Sequence, residues 1–150
     1  MKPAPSRVLV VANETATGIV LCDAIESVAA ATETQVLVVA PALNSRLAHW
    51  TSSDDRARRE AELRLARCVA NLAAAGVEAE GVVGDADPLR AVEDTLSVFA
   101  ADVIVVATHP EGRSNWLARD IVERIRRRHT PPVVHVVVDL ERELEYLRAA

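Results

Sequence analysis

Hydrophobic and polar positions along the chain follow two alternating patterns. Unbroken apolar runs rich in β-branched residues predict strands, and apolar residues that recur every three or four positions predict helices. The predicted strands cover residues 7–12, 35–40, 77–83, 103–107 and 133–138. The helical stripes between them consist of Leu21, Ala24, Ile25 and Val28, then Ala61, Leu65, Cys68, Val69 and Leu72, then Leu89, Val92, Leu96 and Phe99, then Leu117, Ile121 and Ile125. Strand and helix alternate throughout, which predicts an α/β fold with a parallel sheet.

The residues at the ends of the predicted helices agree with this pattern. Gly76 is suited to close the second helix. Asp87 followed by Pro88 is typical of an N-cap with proline at the first helical position. The Thr-Pro-Pro sequence at residues 130–132 stops the last helix before the fifth strand begins near residue 133.

The third strand is predicted to lie at an edge of the sheet, because Glu78 and Glu80 alternate with small and apolar residues. The crossovers are long enough to be right-handed. We therefore expect an open, doubly wound, five-stranded parallel sheet in the order 3-2-1-4-5, with helices on both faces. Residues 1–139 make up this domain. Residues 140–150 form an amphipathic helix that either belongs to the same domain or makes a dimer contact, and the pattern leaves both alternatives open.

Composition narrows the class of protein. Half of the residues are hydrophobic and only 3% are aromatic, so the core consists of Ala, Val, Leu and Ile. The net charge of -5 argues against a general affinity for nucleic acid. The basic run at residues 124–129 is interpreted as the end of the last helix, where cations complement the helix dipole.

The two cysteines point to a reducing compartment. Cys22 and Cys68 each lie within a helical pattern without CxxC or metal-ligand spacing, so both are predicted to be reduced and mostly buried. The first seven residues lack the apolar stretch of a signal peptide. No apolar run reaches the roughly 20 residues that span a bilayer. We expect a cytoplasmic protein with no membrane association.

The topology selects a candidate ligand site. In an open parallel sheet, ligands bind at the carboxyl ends of the strands where the winding direction reverses, here between the first and fourth strands. This selects residues 13–18 and 108–115, with the end of the third strand as a third wall. The second segment begins a helix, and its N–H groups, guanidinium and hydroxyl suit an anion. The candidate ligand-binding residues are Asn13, Thr15, Gly84, Asp85, Thr108, His109, Gly112, Arg113, Ser114 and Asn115.

The same segment also has a purely structural interpretation. Ser114 would cap the last helix, Gly112 would make the turn and Arg113 would be solvated. His109 has no identified partner and is more typical of a structural histidine. The sequence contains no GxGxxG, P-loop, GxSxG, HExxH or CxxC motif, so it indicates no catalytic residue and no metal site.

The strand pattern, the sequence VGDADP at residues 83–88, and the sequences VERI at 122–125 and TPPVVHVV at 130–137 resemble the universal stress protein family. The resemblance extends up to residue 139. It implies a cytoplasmic protein that is usually dimeric. Members of this family divide into those that bind ATP and those that do not.

The glycine pattern of the ATP-binding members is missing. They carry an Asp at the end of the first strand, where this chain has Asn13. After the fourth strand they carry Gly, two residues, Gly, nine residues and Gly-Ser or Gly-Thr. With the loop one residue short, these positions fall on Ala107, Pro110 and residues 119–120, Arg-Asp. Glycine allows close approach of the backbone to phosphates, and an aspartate adds a like charge beside them. Family-type ATP binding is therefore not expected, and no other cofactor is indicated.

The favoured hypothesis is a universal stress protein-like domain that is non-enzymatic, binds or regulates, and acts in the stress response as a homodimer. Its dimer contact is assigned to the run from Val133 to Val138 and to the C-terminal helix. The alternative is that this helix folds back over the strand edge. A nucleotide- or anion-binding regulator that uses residues 108–116 is a second hypothesis.

Two catalytic hypotheses remain as alternatives. A receiver-like phosphoacceptor would use Glu14, Asp85 and Thr108, but it lacks a second carboxylate after the first strand and a lysine after the fifth. A small hydrolase or transferase would combine His109 with Asp85 or Glu14. The spacing of these residues in the sequence does not show that they meet.

Overall fold

Five parallel strands form a single sheet in the computed structural model of the chain. The structure describes the backbone of residues 6–12, 23–25, 27, 33–42, 53–108 and 113–137, and the side chains of 6–11, 23–25, 27, 33–42, 55–107 and 120–136. The strands are β1 (Ser6–Ala12), β2 (Thr34–Pro41), β3 (Ala79–Gly84), β4 (Val103–Thr108) and β5 (Val133–Val137). Their order is β3-β2-β1-β4-β5, which confirms the predicted topology and the edge position of the third strand.

Helices cover both faces of this sheet. Three helices are described over their whole length, namely α1 (Ser53–Ala74), α2 (Pro88–Val98) and α3 (Arg113–Arg128). Between β1 and β2, residues 23–25 and 27 are also helical. One face of the sheet packs against α1 and these helical residues, and the other packs against α2 and α3. No helix in the described part of the chain is both long and apolar enough to cross a membrane.

The core is divided into two layers by the alternation of side chains along each strand. In β1, Val8 and Val10 face one layer, whereas Leu9 and Val11 face the other. All four residues are at most 2% exposed, so β1 is buried on both faces. The layer beneath α1 consists of Val8, Val10, Ile25, Val36, Val38, Cys68, Leu72, Val103, Val105, Ala107 and Val136. The layer beneath α2 and α3 consists of Leu9, Val11, Val39, Leu89, Ala91, Val92, Ile104, Val106, Val122, Ile125 and Val133.

The end of α1 explains where β3 begins. Gly76 has a φ of 89° and its N–H donates to the carbonyl of Ala73 at 3.0 Å. The N–H of Val77 donates to the carbonyl of Leu72 at 2.8 Å, which completes a Schellman motif. Because Val77 belongs to this helix end, β3 covers Ala79–Gly84 and not the predicted residues 77–83.

Of two further helix starts, one agrees with the sequence prediction and the other does not. Asp87 caps α2 as predicted, because its carboxylate accepts the N–H of Leu89 at 3.0 Å and Pro88 is the first helical residue. In contrast, α3 begins at Arg113, before the position that a cap at Ser114 would give. Ser114 is therefore the second residue of the helix and not its N-cap. Arginine and serine are both tolerated in a first helical turn, so propensity alone did not place this boundary.

The basic end of α3 is paired with carboxylates. Arg126 contacts Glu123 at 2.8 Å, and Arg128 contacts Glu93 of α2 at 3.0 Å. A second bond of Arg126 runs to the carbonyl of Val133 at 3.1 Å and joins the helix to the start of β5. These contacts support the interpretation of residues 124–129 as a structural helix end.

Replacing Asp87 with alanine is expected to lower the free energy of unfolding by about 1 kcal/mol, because the first turn of α2 loses its N-cap acceptor. Urea denaturation of Asp87→Ala and Asp87→Asn measures this, and the asparagine variant retains most of the stability. The control is Asp94→Ala, an exposed position within α2. An equal loss in Asp87→Ala and Asp94→Ala would contradict a capping role.

A second expected effect concerns the close approach of α2 to β3. A Cβ at Gly84 would lie 2.7 Å from Cβ of Ala91 and 2.9 Å from Cγ2 of Val39, both in the buried core. Gly84→Ala should therefore cost about 1–3 kcal/mol of unfolding free energy. In Gly81→Ala, the new Cβ meets only the flexible, half-buried side chain of Leu65, so denaturation should show a smaller loss. Equal stability of wild type and Gly84→Ala would disprove this packing constraint.

Candidate functional site

The carboxyl ends of β1 and β4 lie side by side at the centre of one sheet edge. Ala12, the last residue of β1, pairs with Ala107, and β4 extends one residue further to Thr108. From β1 the chain passes to β2 on one side, and from β3 it returns to β4 on the other side. The winding direction therefore reverses between β1 and β4. This is the position at which open parallel sheets bind ligands.

The start of α3 lies beside this reversal point. Residues 109–112 separate Thr108 from Arg113, the first residue of α3. The backbone places Arg113, Ser114 and Asn115 in the first turn of α3, where the N–H groups have no partner within the helix. Thr108 and this first turn are thus brought to the same edge of the sheet. The predicted site residues Asn13, Thr15, His109 and Gly112 lie outside the described residues.

Gly84 and Asp85 have local structural roles. Gly84 allows the close contact of α2 with β3. The Asp85 carboxylate accepts the N–H of Asp87 at 2.9 Å, which forms the turn that leads into α2. Gly84 ends β3 and Asp85 follows it, two strands away from β1, which is about 10 Å at the usual strand spacing. The structure therefore separates them from the reversal point.

A pocket of about 380 Å³ lies beside Asp85. Its charged lining residues are Arg58, Asp85 and Asp94. Arg58 lies 3.9 Å from Glu62, so its charge is shared with a further carboxylate. The acidic balance of this pocket opposes anion binding.

A larger groove of about 730 Å³ lies at the opposite edge of the sheet, around the beginnings of β2 and β3. Its titratable lining residues are Glu78 and Glu80, and Val98 and Phe99 supply apolar surface. Size alone would favour this groove as the site. The reversal of winding lies at the other edge, however, and the groove holds no group suited to acid–base or nucleophilic chemistry beyond two exposed carboxylates. Across the described residues, no group of three or more His, Cys, Asp or Glu could hold a metal ion.

One charged residue near the candidate site was missed by the sequence analysis. Arg64 of α1 is half-buried, and its Nη2 donates to the carbonyl of Pro41, the last residue of β2, at 3.2 Å. Its Nε is buried and has no hydrogen-bond partner among the described residues. The spacing could have predicted its position, because Arg64 lies three residues after Ala61 and four before Cys68, on the buried stripe of α1.

Searches with the sequence find no match among protein-family models and none among curated proteins. Solved structures do resemble the chain. A universal stress protein from Archaeoglobus fulgidus is 18% identical, with a TM-score of 0.59 over 89% of this chain and 99% of that one. A protein of the universal stress protein family from Burkholderia pseudomallei is 20% identical, with a TM-score of 0.61 over 89% of this chain and 96% of that one.

A third similar structure is a universal stress protein family protein from Arabidopsis thaliana with AMP bound. It is 14% identical, with a TM-score of 0.57 over 92% of this chain and 95% of that one. At these identities the likeness establishes architecture, and each of the three chains is covered almost completely. The chain therefore has the fold of the universal stress proteins.

Proposed function

We propose that the chain is a member of the universal stress protein family that acts in the stress response as a non-enzymatic regulatory domain and as a homodimer. The observation that carries this proposal is the extent of the shared fold. Between 95% and 99% of each of the three similar chains is matched, together with about nine tenths of this one. The described elements are thus those of the stress-protein domain itself.

The positions of the candidate catalytic residues support a non-enzymatic role. Asp85 is one of two carboxylates shared by the receiver and hydrolase hypotheses, and it accepts a hydrogen bond within the turn before α2. The other, Glu14, lies outside the described residues. Asp85 also lies two strands away from the reversal point, where Thr108 ends β4. A catalytic pair requires hydrogen-bond reach, and this separation argues against the receiver hypothesis and against a hydrolase that uses Asp85.

The ends of the elements also argue against ATP binding of the family type. Ala107, which takes the first glycine position, is a buried residue of β4. Arg119 and Asp120, which take the Gly-Ser position, lie within α3 and not at its start. Only residues 109–112 separate the strand from the helix. Amides within a helix are bonded to preceding carbonyls, so residues 119–120 offer no N–H groups to a phosphate.

The outer strand β5 supports the homodimer. It lies at the edge of the sheet, and the described residues pair it only with β4. Val133 and Val136 are buried, and Val134 is half-buried. An apolar edge strand with outward backbone groups is suited to pairing with a second copy across a two-fold axis.

An anion-binding regulator is the second candidate function. It is favoured by the first turn of α3, which the structure brings to the reversal point between β1 and β4. The similar Arabidopsis protein has AMP bound. Because the N–H groups of this first turn suit an anion, we assign recognition to an oxyanion and not to the adenosine moiety.

Light scattering after size exclusion tests the homodimer. The wild type is expected at the mass of two 16.2 kDa chains. Val134→Lys places a charge in β5 next to its symmetry mate and should shift the mass to one chain at low salt without loss of circular dichroism. Val134→Thr is the uncharged control. A single-chain mass for the wild type would overturn the homodimer, and an unchanged dimer in Val134→Lys would place the interface elsewhere.

A thermal-shift comparison tests the oxyanion. At equal ionic strength, inorganic phosphate, AMP and ATP are each expected to raise the Tm of the wild type by a similar amount, because the adenosine moiety adds no contact. Arg113→Ala should reduce all three shifts. A much larger shift with ATP than with phosphate would contradict the loss of family-type binding, and no shift with any of them would disprove the second candidate function.

A further inference from the structure

A positive charge interrupts the buried face of α1. Ala57, Ala61, Cys68 and Leu72 form the stripe of α1 that packs on the sheet, and each is at most 5% exposed. Arg64 occupies the position between Ala61 and Cys68 at helical spacing, where the pattern calls for a small or apolar side chain. A charge on this face loses much of its hydration and requires compensation.

The described residues supply little of that compensation. Arg64 donates one hydrogen bond, from Nη2 to the neutral carbonyl of Pro41 at 3.2 Å, and its Nε is buried without a partner. No ion pair of Arg64 occurs among the described residues. In contrast, Arg56 and Arg58 of the same helix lie 3.6 Å and 3.9 Å from glutamates one turn away. A guanidinium has five N–H donors, so the described residues leave most of its capacity unused.

The guanidinium lies at the functional edge of the sheet. Pro41 ends β2 and pairs with Gly84, the last residue of β3. On its other side, β2 pairs with β1, which ends at Ala12. Neighbouring strands are about 4.8 Å apart, so the Pro41 carbonyl is about one strand spacing from the end of β1. Arg64 reaches this edge from the face of α1, whereas the first turn of α3 reaches it from the opposite face.

We propose that Arg64 binds an oxyanion, a phosphate or carboxylate group of a small molecule, at the carboxyl end of β2 beside the reversal point. This inference rests on the proposed anion-binding function and adds a residue and a charge requirement to it. The oxyanion accepts the N–H groups of Arg64 that the Pro41 carbonyl leaves unused. A planar guanidinium matches the two oxygens of such a group, which makes the pair both directional and charge-assisted.

Other described surfaces fit an oxyanion less well. The pocket near Asp85 carries two aspartates against the already paired Arg58. The groove at the opposite edge carries Glu78 and Glu80. The arginines at the end of α3 that contact Asp120, Glu123 and Glu93 are already compensated. Arg64 combines a half-buried charge with the absence of a described carboxylate partner.

The test compares Arg64→Met with wild type and with Arg67→Met, an exposed position one helical turn away that serves as the matched control. Thermal unfolding is followed during titration with sodium phosphate, AMP or sodium succinate, each against sodium chloride at equal ionic strength. We expect the apparent Kd of the stabilising oxyanion to rise at least tenfold in Arg64→Met and to stay unchanged in Arg67→Met. Arg64→Lys retains the charge without the planar guanidinium that matches two oxygens, so it should give an intermediate Kd.

The ligand-free Tm supplies a second readout. Arg64→Met removes a charge that no described carboxylate compensates from a core-facing stripe, so its Tm in chloride should equal or exceed that of the wild type. A lower Tm in chloride together with unchanged oxyanion affinity would show that Arg64 only caps the Pro41 carbonyl, which overturns the inference while anion binding survives. If no oxyanion stabilises the wild type, anion binding itself fails, and the homodimer is still judged by its mass. Response to succinate alone or to the phosphates alone identifies the class of oxyanion.

Discussion

Burial of β1 on both faces is the constraint on which the other elements depend. Val8 and Val10 require an apolar cover on one face, and Leu9 and Val11 require it on the other. A strand in this position must also pair along both edges, because its backbone groups have no access to water. A strand must therefore pair with it on each side, here β2 and β4, with helices crossing above and below, and the chain reverses its winding direction next to β1. The crevice at the carboxyl ends of β1 and β4 is a geometric result of burying this strand.

Around this crevice, several residues that look functional have local structural roles. Gly84 is needed for the contact between α2 and β3, and Asp85 and Asp87 form the turn and the cap that begin α2. At the end of α3, arginines bind neighbouring carboxylates and the start of β5. Arg64 differs from these residues because it is half-buried and the described part of the chain gives it one neutral acceptor. Uncompensated charge in a protein interior is costly, so such a residue stands out as a functional candidate.

The similarity to solved universal stress proteins at 14–20% identity has a simple physical basis. The core of this fold requires apolar side chains of suitable size at alternating strand positions and on helical stripes. Many combinations of Ala, Val, Leu and Ile meet this requirement. Ligand recognition, in contrast, requires specific donor and acceptor atoms at fixed positions. Ala107 and residues 119–120 show the difference, since they fit the strand and the helix well and lack the backbone freedom of glycine.

The sequence by itself determined the α/β class, the strand order, the two-sided core and the helix ends at Gly76 and Asp87. These features depend on periodicity and on residues that act within one turn of the chain, so neighbours in sequence carry the information. The start of β3 at Ala79 was set by the hydrogen bond of Val77 to the end of α1, which competes with the strand for the same residue. Only the tertiary structure showed that Gly84 is needed for the contact between α2 and β3 and that Arg64 of α1 meets the end of β2. Those relations join residues far apart in the chain, and they exist only once the strands and helices have packed together.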